Sequence, residues 1–557
     1  MLKIGEDRWG WIGSILPLLF VVGATLRLYW NIAKGTDLPL VGDEAMYLTL
    51  GSHLLHQGIL PSFPFSPLYA CWYALHFRLF GDPIATYYAQ IQVVAVLTAI
   101  FIYVYLRMIE VPRFLCVLGA LLWIAQPAYL TLDFGLGHPR PYHFAFLIFL
   151  VGATVLRRLN FESRVPFALA GTAFMLFVMA VREEYVISLV FLVFIIAFWQ
   201  RKPSLSPGPH RRREYLLSLA LWAAAATLTL WMLLKGKAQY PVMALGHSWC
   251  AFAQHFSVYR VGASPGSALD PWADWEFIAG QVFPGAHSIG GALLANPKAF
   301  LIFELHNILT APRILFAYLA VPPYALLKGM ALGMTLGWIG FFSSTTSSLR
   351  RQALATSASA LGPFVLSGAA TALPVALITP KINYFLPLLF VLLAGLLKWL
   401  SLILKSEPDG LRLFVPLSAA ALSLILVVIR SPFEINPNSP RPQYREVTEI
   451  RSILEAQKNR PIRVLQYDVP YRYGAFLPYG LAEMVDPFSR QAPEGFRDFM
   501  ARQHVEAVIL DAALRSCRPF RDDPEFALFQ RSPGEWGWKA TPVGMPGDFL
   551  CLRERGQ

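Results

Sequence analysis

Charged residues are scarce in this chain of 557 residues: they make up 15% of it, whereas 55% of the residues are hydrophobic. Soluble globular proteins carry about 25% charged residues, so the composition argues against an ordinary assembly of soluble domains. Apolar runs of roughly 17 to 22 residues recur along the sequence, and each is long enough for a helix to cross a hydrocarbon core. The runs are continuous and lack the alternation of a transmembrane barrel. The sequence therefore predicts a mostly α, polytopic helical membrane protein.

The signals of several other classes are also missing. The five cysteines form no CxxC pair, and no glycine-rich phosphate loop indicates a nucleotide site. No internal repeat is visible, which weakens the interpretation as a transporter. The histidines of the longest polar loop have no metal-ligand spacing, so we expect no dedicated metal site; they are His247, His255, His287 and His306. A disulfide between Cys517 and Cys551 stays open, because their separation in sequence says nothing about geometry.

The net charge of +12 is concentrated in short connections between the apolar runs. This distribution is typical of cytoplasmic loops and argues against nucleic acid as a partner. The positive-inside rule places these basic connections in the cytoplasm: Arg157-Arg158, Arg201 to Arg213, Arg350-Arg351 and Lys398 to Lys405. With about eleven spans and an internal N-terminus, the alternate connections and the C-terminal region face the other side. We therefore expect an integral membrane protein of a bacterial inner membrane, with its active site facing the periplasm.

A proline-rich linker near Ser431 to Pro442 divides the chain into two predicted domains. Residues 1–430 form the transmembrane domain, with about eleven helices. Residues 431–557 form a small extracytoplasmic α/β domain. Within it, two segments have the composition of buried strands and one that of a helix: Arg463 to Tyr467, Ala507 to Leu510, and Glu494 to Gln503.

An acidic pair, Asp43 and Glu44, lies shortly after the first apolar run. Carboxylates beside a membrane span are costly unless they stay hydrated, pair with cations or act on a substrate, so the pair suggests a functional site. It opens the first of two amphipathic helices predicted in this outer connection, Asp43 to Gln57 and Pro67 to Phe80. Asp43 would also serve as a helix N-cap, and capping is compatible with catalysis.

The motif Asp43-Glu44-Ala45-Met46-Tyr47, followed by Pro67-Leu68-Tyr69 and Phe80-Gly81-Asp82, resembles the first extracytoplasmic loop of GT-C fold glycosyltransferases. The most similar branch is that of the protein O-mannosyltransferases and the lipid A aminoarabinose transferases. The resemblance implies a polyprenyl-phosphate sugar as donor, Asp43 as the catalytic base, and inversion at the anomeric carbon. It also implies that Glu44 orients the base or holds the acceptor. No cofactor is required, although some members place a divalent ion at the acidic pair.

Sugar transfer from a polyprenyl phosphate also needs cations to neutralise the departing phosphate. Many relatives carry basic residues in and after the first loop, whereas this chain has Ser66 and the neutral Gln90. The outer-side cations that replace them are Arg140, Arg182 and Lys381. Tyr384 joins this set because Lys381-Ile382-Asn383-Tyr384-Phe385-Leu386-Pro387 resembles the start of a late helix in the same families.

These candidates also have purely structural interpretations. Arg182 would be neutralised by a neighbouring glutamate at a hairpin apex. Lys381 would be an interfacial lysine whose stem lies along apolar surface. Asp133 is a candidate second acid, and an ordinary turn aspartate would look the same in the sequence. The remaining site candidates are Tyr47, His138, Glu183 and Glu184.

The sequence thus predicts a glycosyltransferase that moves a sugar from a polyprenyl phosphate to an extracytoplasmic polysaccharide, lipid or protein. Its partners are the lipid bilayer, the lipid-linked donor and that acceptor. The alternative is a transporter or flippase for a lipid-linked or anionic solute, which would carry charges near the middle of its spans. A non-catalytic scaffold is a third hypothesis, under which replacement of Asp43 would have no effect.

Overall fold

The computed structural model describes residues 12–40, 43–62, 65–125, 141–161, 163–198, 209–236, 247–263, 271–272, 274–320, 347–373, 382–406, 441–457, 460–467, 472–491 and 494–554. Over these residues the chain is mostly helical, with one small sheet near the C-terminus. It separates into two compact units. The first unit comprises residues 1–28, 61–68 and 94–430, and the second comprises residues 29–60, 69–93 and 431–557.

Four helical segments are long and apolar enough to cross a membrane: Ile15–Lys34, Pro83–Met108, Pro141–Leu159 and Arg212–Lys235. Three shorter apolar helices accompany them, Arg113–Ile124, Arg164–Met179 and Leu386–Leu402. The predicted class, a helical membrane protein, is therefore confirmed. The predicted count of about eleven spans is not confirmed over the described residues.

Helices make up most of the first unit. Their bounds are Ile12–Tyr29, Pro83–Met108, Arg113–Ala125, Pro141–Leu159, Arg164–Met179, Val186–Phe198, Pro209–Lys235, His247–Gly262, Trp275–Val282, Ile289–Ala295, Pro297–Ala320, Ser347–Gly368 and Leu386–Ser406. The first two of these helices extend into the second unit. Short 3-10 turns occupy Glu183–Tyr185, Ala369–Thr371 and Ile382–Phe385. The first of these turns forms the predicted hairpin apex, between Arg164–Met179 and Val186–Phe198.

The second unit contains the two helices predicted after the first apolar run. They span Asp43–Gln57 and Pro67–Phe80, as expected. Each ends at a glycine in the left-handed region, Gly58 at φ +67° and Gly81 at φ +71°, where a side chain would be strained. Proline is suited to the start of the second helix because its fixed φ matches the first turn. Its lack of an N–H costs nothing there, since an N–H at that position has no partner within the helix. A short helix, Ile32–Gly35, precedes them.

The C-terminal sheet has five strands in the order β2-β1-β3-β5-β4. The strands are β1 (Ile462–Leu465), β2 (Ala482–Val485), β3 (Ala507–Leu510), β4 (Trp538–Pro542) and β5 (Phe549–Arg553). β1 is parallel to β2 and β3, whereas β5 is antiparallel to β3 and β4. The helices around the sheet are Pro442–Ala456, Tyr473–Phe476, Phe496–Arg502, Ala512–Arg515 and Pro524–Arg531. The predicted small α/β sheet region is confirmed, and Cys517 and Cys551 are thiols in its hydrophobic core.

Residues between the first two long apolar helices contact the C-terminal residues within this second unit. The Asp37 carboxylate accepts hydrogen bonds from the backbone N–H of Gln443 at 3.0 Å and of Tyr444 at 2.7 Å. These N–H groups open the helix Pro442–Ala456 and have no partner inside it, so Asp37 caps that helix from a distant part of the chain. The His56 ring stacks on Tyr479 with 4.0 Å between centroids.

Candidate active site

The acidic pair lies in the first turn of the helix Asp43–Gln57, and its two members have different surroundings. Asp43 is exposed, whereas Glu44 is only 4% exposed. Consecutive residues on a helix point about 100° apart, so one carboxylate can face inwards while the next faces out. The helix start also favours a negative charge, because its unpaired N–H groups carry partial positive charge. Asp43 is thus the member of the pair that a substrate can reach.

Two tyrosine hydroxyls hold the Glu44 carboxylate. Oε1 of Glu44 accepts a hydrogen bond from the Tyr69 hydroxyl at 2.6 Å and another from the Tyr73 hydroxyl. The two tyrosines lie one turn apart on the helix Pro67–Phe80, and both are fully buried. Burial, and then the charge of Glu44, raises the pKa of both hydroxyls well above the usual value. Both tyrosines therefore stay protonated and keep donating to the carboxylate.

Gln90 and Tyr47 complete this cluster, which we call the tyrosine-carboxylate cluster (Glu44, Tyr47, Tyr69, Tyr73 and Gln90). The Gln90 side-chain amide is fully buried and donates to the Tyr73 hydroxyl at 3.2 Å. The Tyr47 ring packs edge-on against Tyr69 with 5.4 Å between centroids. The neutral residue at position 90 is thus part of the support of the acidic pair.

One oxygen of the acidic pair is already engaged, which bears on whether the pair could hold a divalent ion. Oε1 of Glu44 already accepts from two hydroxyls inside the unit, whereas Asp43 faces outward. Ca²⁺ and Mg²⁺ need several oxygen ligands converging on one point. Among the residues that the structure describes, no group of three or more His, Cys, Asp or Glu side chains could hold a metal ion.

In the first unit, Arg182 lies in a cluster of its own, which we call the arginine-tyrosine cluster (Tyr142, Arg182, Glu184 and Tyr384). Nε of Arg182 donates to Oε2 of Glu184 at 3.0 Å, and an Nη2 hydrogen bond to Oε1 makes the pair bidentate. The same Nη2 donates to the Tyr142 hydroxyl at 2.5 Å. The guanidinium carbon lies 3.9 Å from the centroid of the Tyr142 ring, within the range of a cation–π contact.

Tyr142 connects Arg182 with Tyr384, two residues that the sequence assigns to phosphate binding. The Tyr142 hydroxyl donates to the Tyr384 hydroxyl at 2.7 Å, and the two rings meet edge to face. The structure therefore brings Arg182 and Tyr384 together. It also shows the ion pair with Glu184 that the structural interpretation of Arg182 expected. The side chain of Arg182 is 8% exposed, so a phosphate would share this cation with Glu184.

The other sequence candidates are placed as follows. Glu183 is half-buried and adjacent to Arg182 in the same 3-10 turn. Asp133, His138, Arg140 and Lys381 lie outside the described residues. The acidic pair belongs to the second unit and Arg182 to the first.

The sequence assigned no site role to three tyrosines, although one of them, Tyr69, belongs to the motif given above. Tyr69 and Tyr73 are four residues apart, a spacing that puts two side chains on one face of a helix. This spacing was the available signal for a carboxylate support. Tyr142 follows a polar stretch of sequence rich in proline and glycine, and no local signal indicates its contacts with residues that are distant in the chain.

No protein-family model matches the chain, and a comparison with curated proteins also finds no match. Two solved structures of an oligosaccharyltransferase from Archaeoglobus fulgidus are similar to it. One, of AglB in complex with an inhibitory peptide and a dolichol-phosphate, is 12% identical with a TM-score of 0.41. The other, in the apo form, is 13% identical with a TM-score of 0.41, and both matches cover 99% of this chain and 75% of the other. At this TM-score the likeness does not establish a common activity, so the function has to be argued from the site.

Proposed function

We propose that this chain is a membrane glycosyltransferase of GT-C type that moves a sugar from a polyprenyl phosphate to an extracytoplasmic acceptor, with inversion. The observation that carries the proposal is the division of the acidic pair into a buried, hydrogen-bonded Glu44 and an exposed Asp43 at a helix start. A general base needs access to its substrate and a fixed position, and this arrangement provides both.

In the proposed reaction, Asp43 takes the proton of an acceptor hydroxyl or amine while that atom attacks the anomeric carbon. The bond between the anomeric carbon and the phosphate oxygen breaks, and the polyprenyl phosphate leaves with the electron pair. A single displacement inverts the configuration at the carbon. Glu44 is a positioning residue, because it is buried and its Oε1 accepts from the hydroxyls of Tyr69 and Tyr73.

The departing phosphate requires cationic stabilisation, which we assign to the arginine-tyrosine cluster together with Arg140 and Lys381. Arginine suits this role because its forked donors match two phosphate oxygens. Glu184 would then hold the guanidinium in position before the donor binds, since the pair is bidentate. The Tyr384 hydroxyl, at the end of the same hydrogen-bond chain, is a further donor to the phosphate.

The test is a transfer assay with purified protein and a radiolabelled polyprenyl-phosphate sugar. We expect Asp43→Asn to reduce transfer by about 10²–10⁴-fold, the usual contribution of general base catalysis. Asp498→Asn is the matched control, because Asp498 is also an exposed aspartate in the first turn of a helix. Full transfer by Asp43→Asn would remove Asp43 from this role, and failure to bind any lipid-linked sugar would contradict the proposed activity.

The proposed location of the site is the periplasmic face of a bacterial inner membrane. A cysteine introduced at the exposed position Leu55, on the helix that carries Asp43, tests the orientation. Leu55→Cys should react in intact cells with a membrane-impermeant thiol reagent beyond the background of the natural cysteines. Labelling that requires permeabilised cells would place the site on the cytoplasmic side.

A further inference from the structure

The first unit contains a cavity of about 590 Å³ that neither cluster of the candidate active site lines. This volume is within the roughly 300–1,000 Å³ range of small-molecule sites. The cavity lies at the C-terminal end of the helix Pro141–Leu159, against a break in the helix Ser347–Gly368. The cavity therefore lies where one apolar span ends.

The interior of the cavity is apolar and its edge is polar. Phe161, Phe167 and Phe364 line it and are buried. Arg157, Asn160 and Ser359 also line it, but these three side chains are exposed. The cavity thus has the polarity of an amphiphile, with an apolar interior and a cationic, hydrogen-bonding mouth.

A break in the helix Ser347–Gly368 forms one wall of the cavity. Gly362 has φ +76° and ψ 164°, and Pro363 follows it without an N–H group. The break releases helical carbonyl groups, and the Tyr105 hydroxyl donates to that of Leu361 at 2.6 Å. Because a buried side chain satisfies the released carbonyl, the break is a fixed feature of the packed structure and the cavity wall is preformed.

The cavity and the arginine-tyrosine cluster lie near opposite ends of one span. Tyr142 opens the helix Pro141–Leu159 and Arg157 lies in its last turn. At about 1.5 Å per residue, the two backbone positions are about 22 Å apart along the helix axis. A ligand at Arg157 is therefore distinct from a donor phosphate held by Arg182.

We propose that this cavity binds a lipid with a phosphate headgroup, its chain against the phenylalanines and its phosphate at Arg157, Asn160 and Ser359. The guanidinium fork, the amide and the hydroxyl together supply the donors that phosphate oxygens accept. A span end lies at the depth where lipid headgroups meet acyl chains, so a bilayer lipid reaches this mouth directly. The same chemistry is present in a membrane phospholipid and in a free polyprenyl phosphate, and binding here does not depend on the proposed transfer reaction.

Native mass spectrometry of the purified full chain, released from detergent, tests this binding with three probes. They are undecaprenyl phosphate, a phosphatidylglycerol and a diacylglycerol that lacks phosphate. We expect a phosphate lipid to be retained and the diacylglycerol to be lost, and whichever phosphate lipid is retained more strongly identifies the source. Equal retention of the diacylglycerol, or retention of none of the three lipids, would overturn the proposal.

Two neighbouring arginines provide a matched pair of variants. Arg157→Gln should weaken retention of the phosphate lipid about tenfold or more, because it removes a charge-assisted hydrogen bond. Arg158→Gln removes the same charge one residue away, at a side chain that does not line the cavity, and should leave retention unchanged. Equal losses in both variants would mean general attraction to basic residues and no specific site, and unchanged retention in Arg157→Gln would also contradict the proposal. Both side chains are exposed, so neither variant should disturb folding.

Discussion

Glu44 and Arg182 are both nearly buried charged side chains that bond to tyrosine hydroxyls, but their surroundings differ. Two neutral donors, Tyr69 and Tyr73, hold Glu44. Arg182 is held by an ionised partner, Glu184, and by one hydroxyl. Neutral donors stabilise a carboxylate without cancelling its charge, whereas a bidentate ion pair offsets the charge locally.

The different surroundings of Glu44 and Arg182 indicate that the two side chains have different roles. A carboxylate held by neutral donors keeps its place, which suits the support of an adjacent base. A guanidinium held by a glutamate is preorganised, and a phosphate that binds it must compete with or share the carboxylate. The tyrosine-carboxylate cluster should therefore respond to mutation mainly through stability and position, and the arginine-tyrosine cluster mainly through donor binding and rate.

Within the two tyrosine clusters, the largest expected effect is on the rate of transfer in Arg182→Gln. Removing the cation that stabilises the leaving phosphate should lower transfer about 10²–10³-fold, as for other electrostatic contacts made in a transition state. It also leaves Glu184 without its arginine, so part of the loss would reflect local destabilisation. Steady-state transfer kinetics and thermal unfolding, measured on the same preparations, give the two contributions.

The double variant Arg182→Gln with Glu184→Gln separates these contributions. It removes the unpaired carboxylate and should restore much of the stability but none of the transfer. If the double variant regained full transfer, Arg182 would be a structural ion pair only, and the contrast with Glu44 would disappear.

The next largest effect is a loss of stability in the double variant Tyr69→Phe with Tyr73→Phe. Two donors to the buried carboxylate are lost, and hydrogen bonds to a charged group contribute about 1.5–3 kcal/mol each. We expect a lower free energy of unfolding by about 3 kcal/mol or more. Tyr105→Phe is the control, since its buried hydroxyl donates at 2.6 Å to the neutral carbonyl of Leu361. A similar cost in the control and in each single variant would show that the charge of Glu44 is unimportant.

Glu446, a buried carboxylate in the C-terminal part of the chain, shows how little one hydroxyl donor lowers the pKa of a buried carboxyl group. The Tyr473 hydroxyl donates to it at 2.8 Å, yet burial raises the pKa of Glu446 to about 7. The nearby Asp548 and Asp511 raise it further, whereas the Tyr473 bond and Arg472 lower it. One neutral donor thus fails to keep this carboxylate at its usual pKa.

The sign of the resulting pH dependence follows from this raised pKa. Below pH of about 4.5 the carboxyl is protonated in both states, and between there and pH 7 only the folded state holds the proton. Stability should therefore fall as pH rises through this window, by at most about 3 kcal/mol. Hydrogen exchange in the helix Pro442–Ala456 would measure it. Glu446→Gln should flatten the dependence, and Glu455→Gln on the same helix should not; a dependence that persists in Glu446→Gln would refute the assignment.

The smallest effect is expected for Tyr142→Phe. The variant keeps the ring under the guanidinium but removes the hydroxyl between Arg182 and Tyr384. The variant loses a charge-assisted hydrogen bond from Arg182 and a neutral one to Tyr384, but Arg182 keeps its bidentate pair with Glu184. We therefore expect a rise of about tenfold or less in the KM for the donor, with little change in kcat. Tyr105→Phe, which removes a hydroxyl at the other end of the bundle, is the control. An equal rise in both variants would show that Tyr142 has no specific role.

Local signals predicted the helices that carry the acidic pair. Proline at the start of Pro67–Phe80, and glycines with positive φ at the end of both loop helices, fix boundaries through short-range sterics. Residue polarity also predicted the apolar helices and two of the five strands of the C-terminal sheet, β1 and β3. The number of spans depends on connections that lie outside the described residues.

The contacts of the site could not be predicted in the same way. Asp43 and Glu44 have the same charge and are adjacent, and their different burial depends on how the helix Pro67–Phe80 packs against them. The Tyr142 to Tyr384 hydrogen bond joins residues 242 positions apart. Such pairs are set by tertiary packing, which overrides local preference and leaves no periodic signal in a single sequence.

The most direct test of the central claim is the single-turnover rate of sugar transfer in Asp43→Asn, with the polyprenyl-phosphate donor already bound. If Asp43 is the base and not a binding group, donor affinity should stay within about threefold of wild type while the rate falls about 10²-fold or more. Glu44→Gln, which keeps an acceptor for Tyr69 and Tyr73, should show a much smaller fall in rate. A rate in Asp43→Asn equal to wild type, or a loss explained entirely by weaker donor binding, would contradict the account.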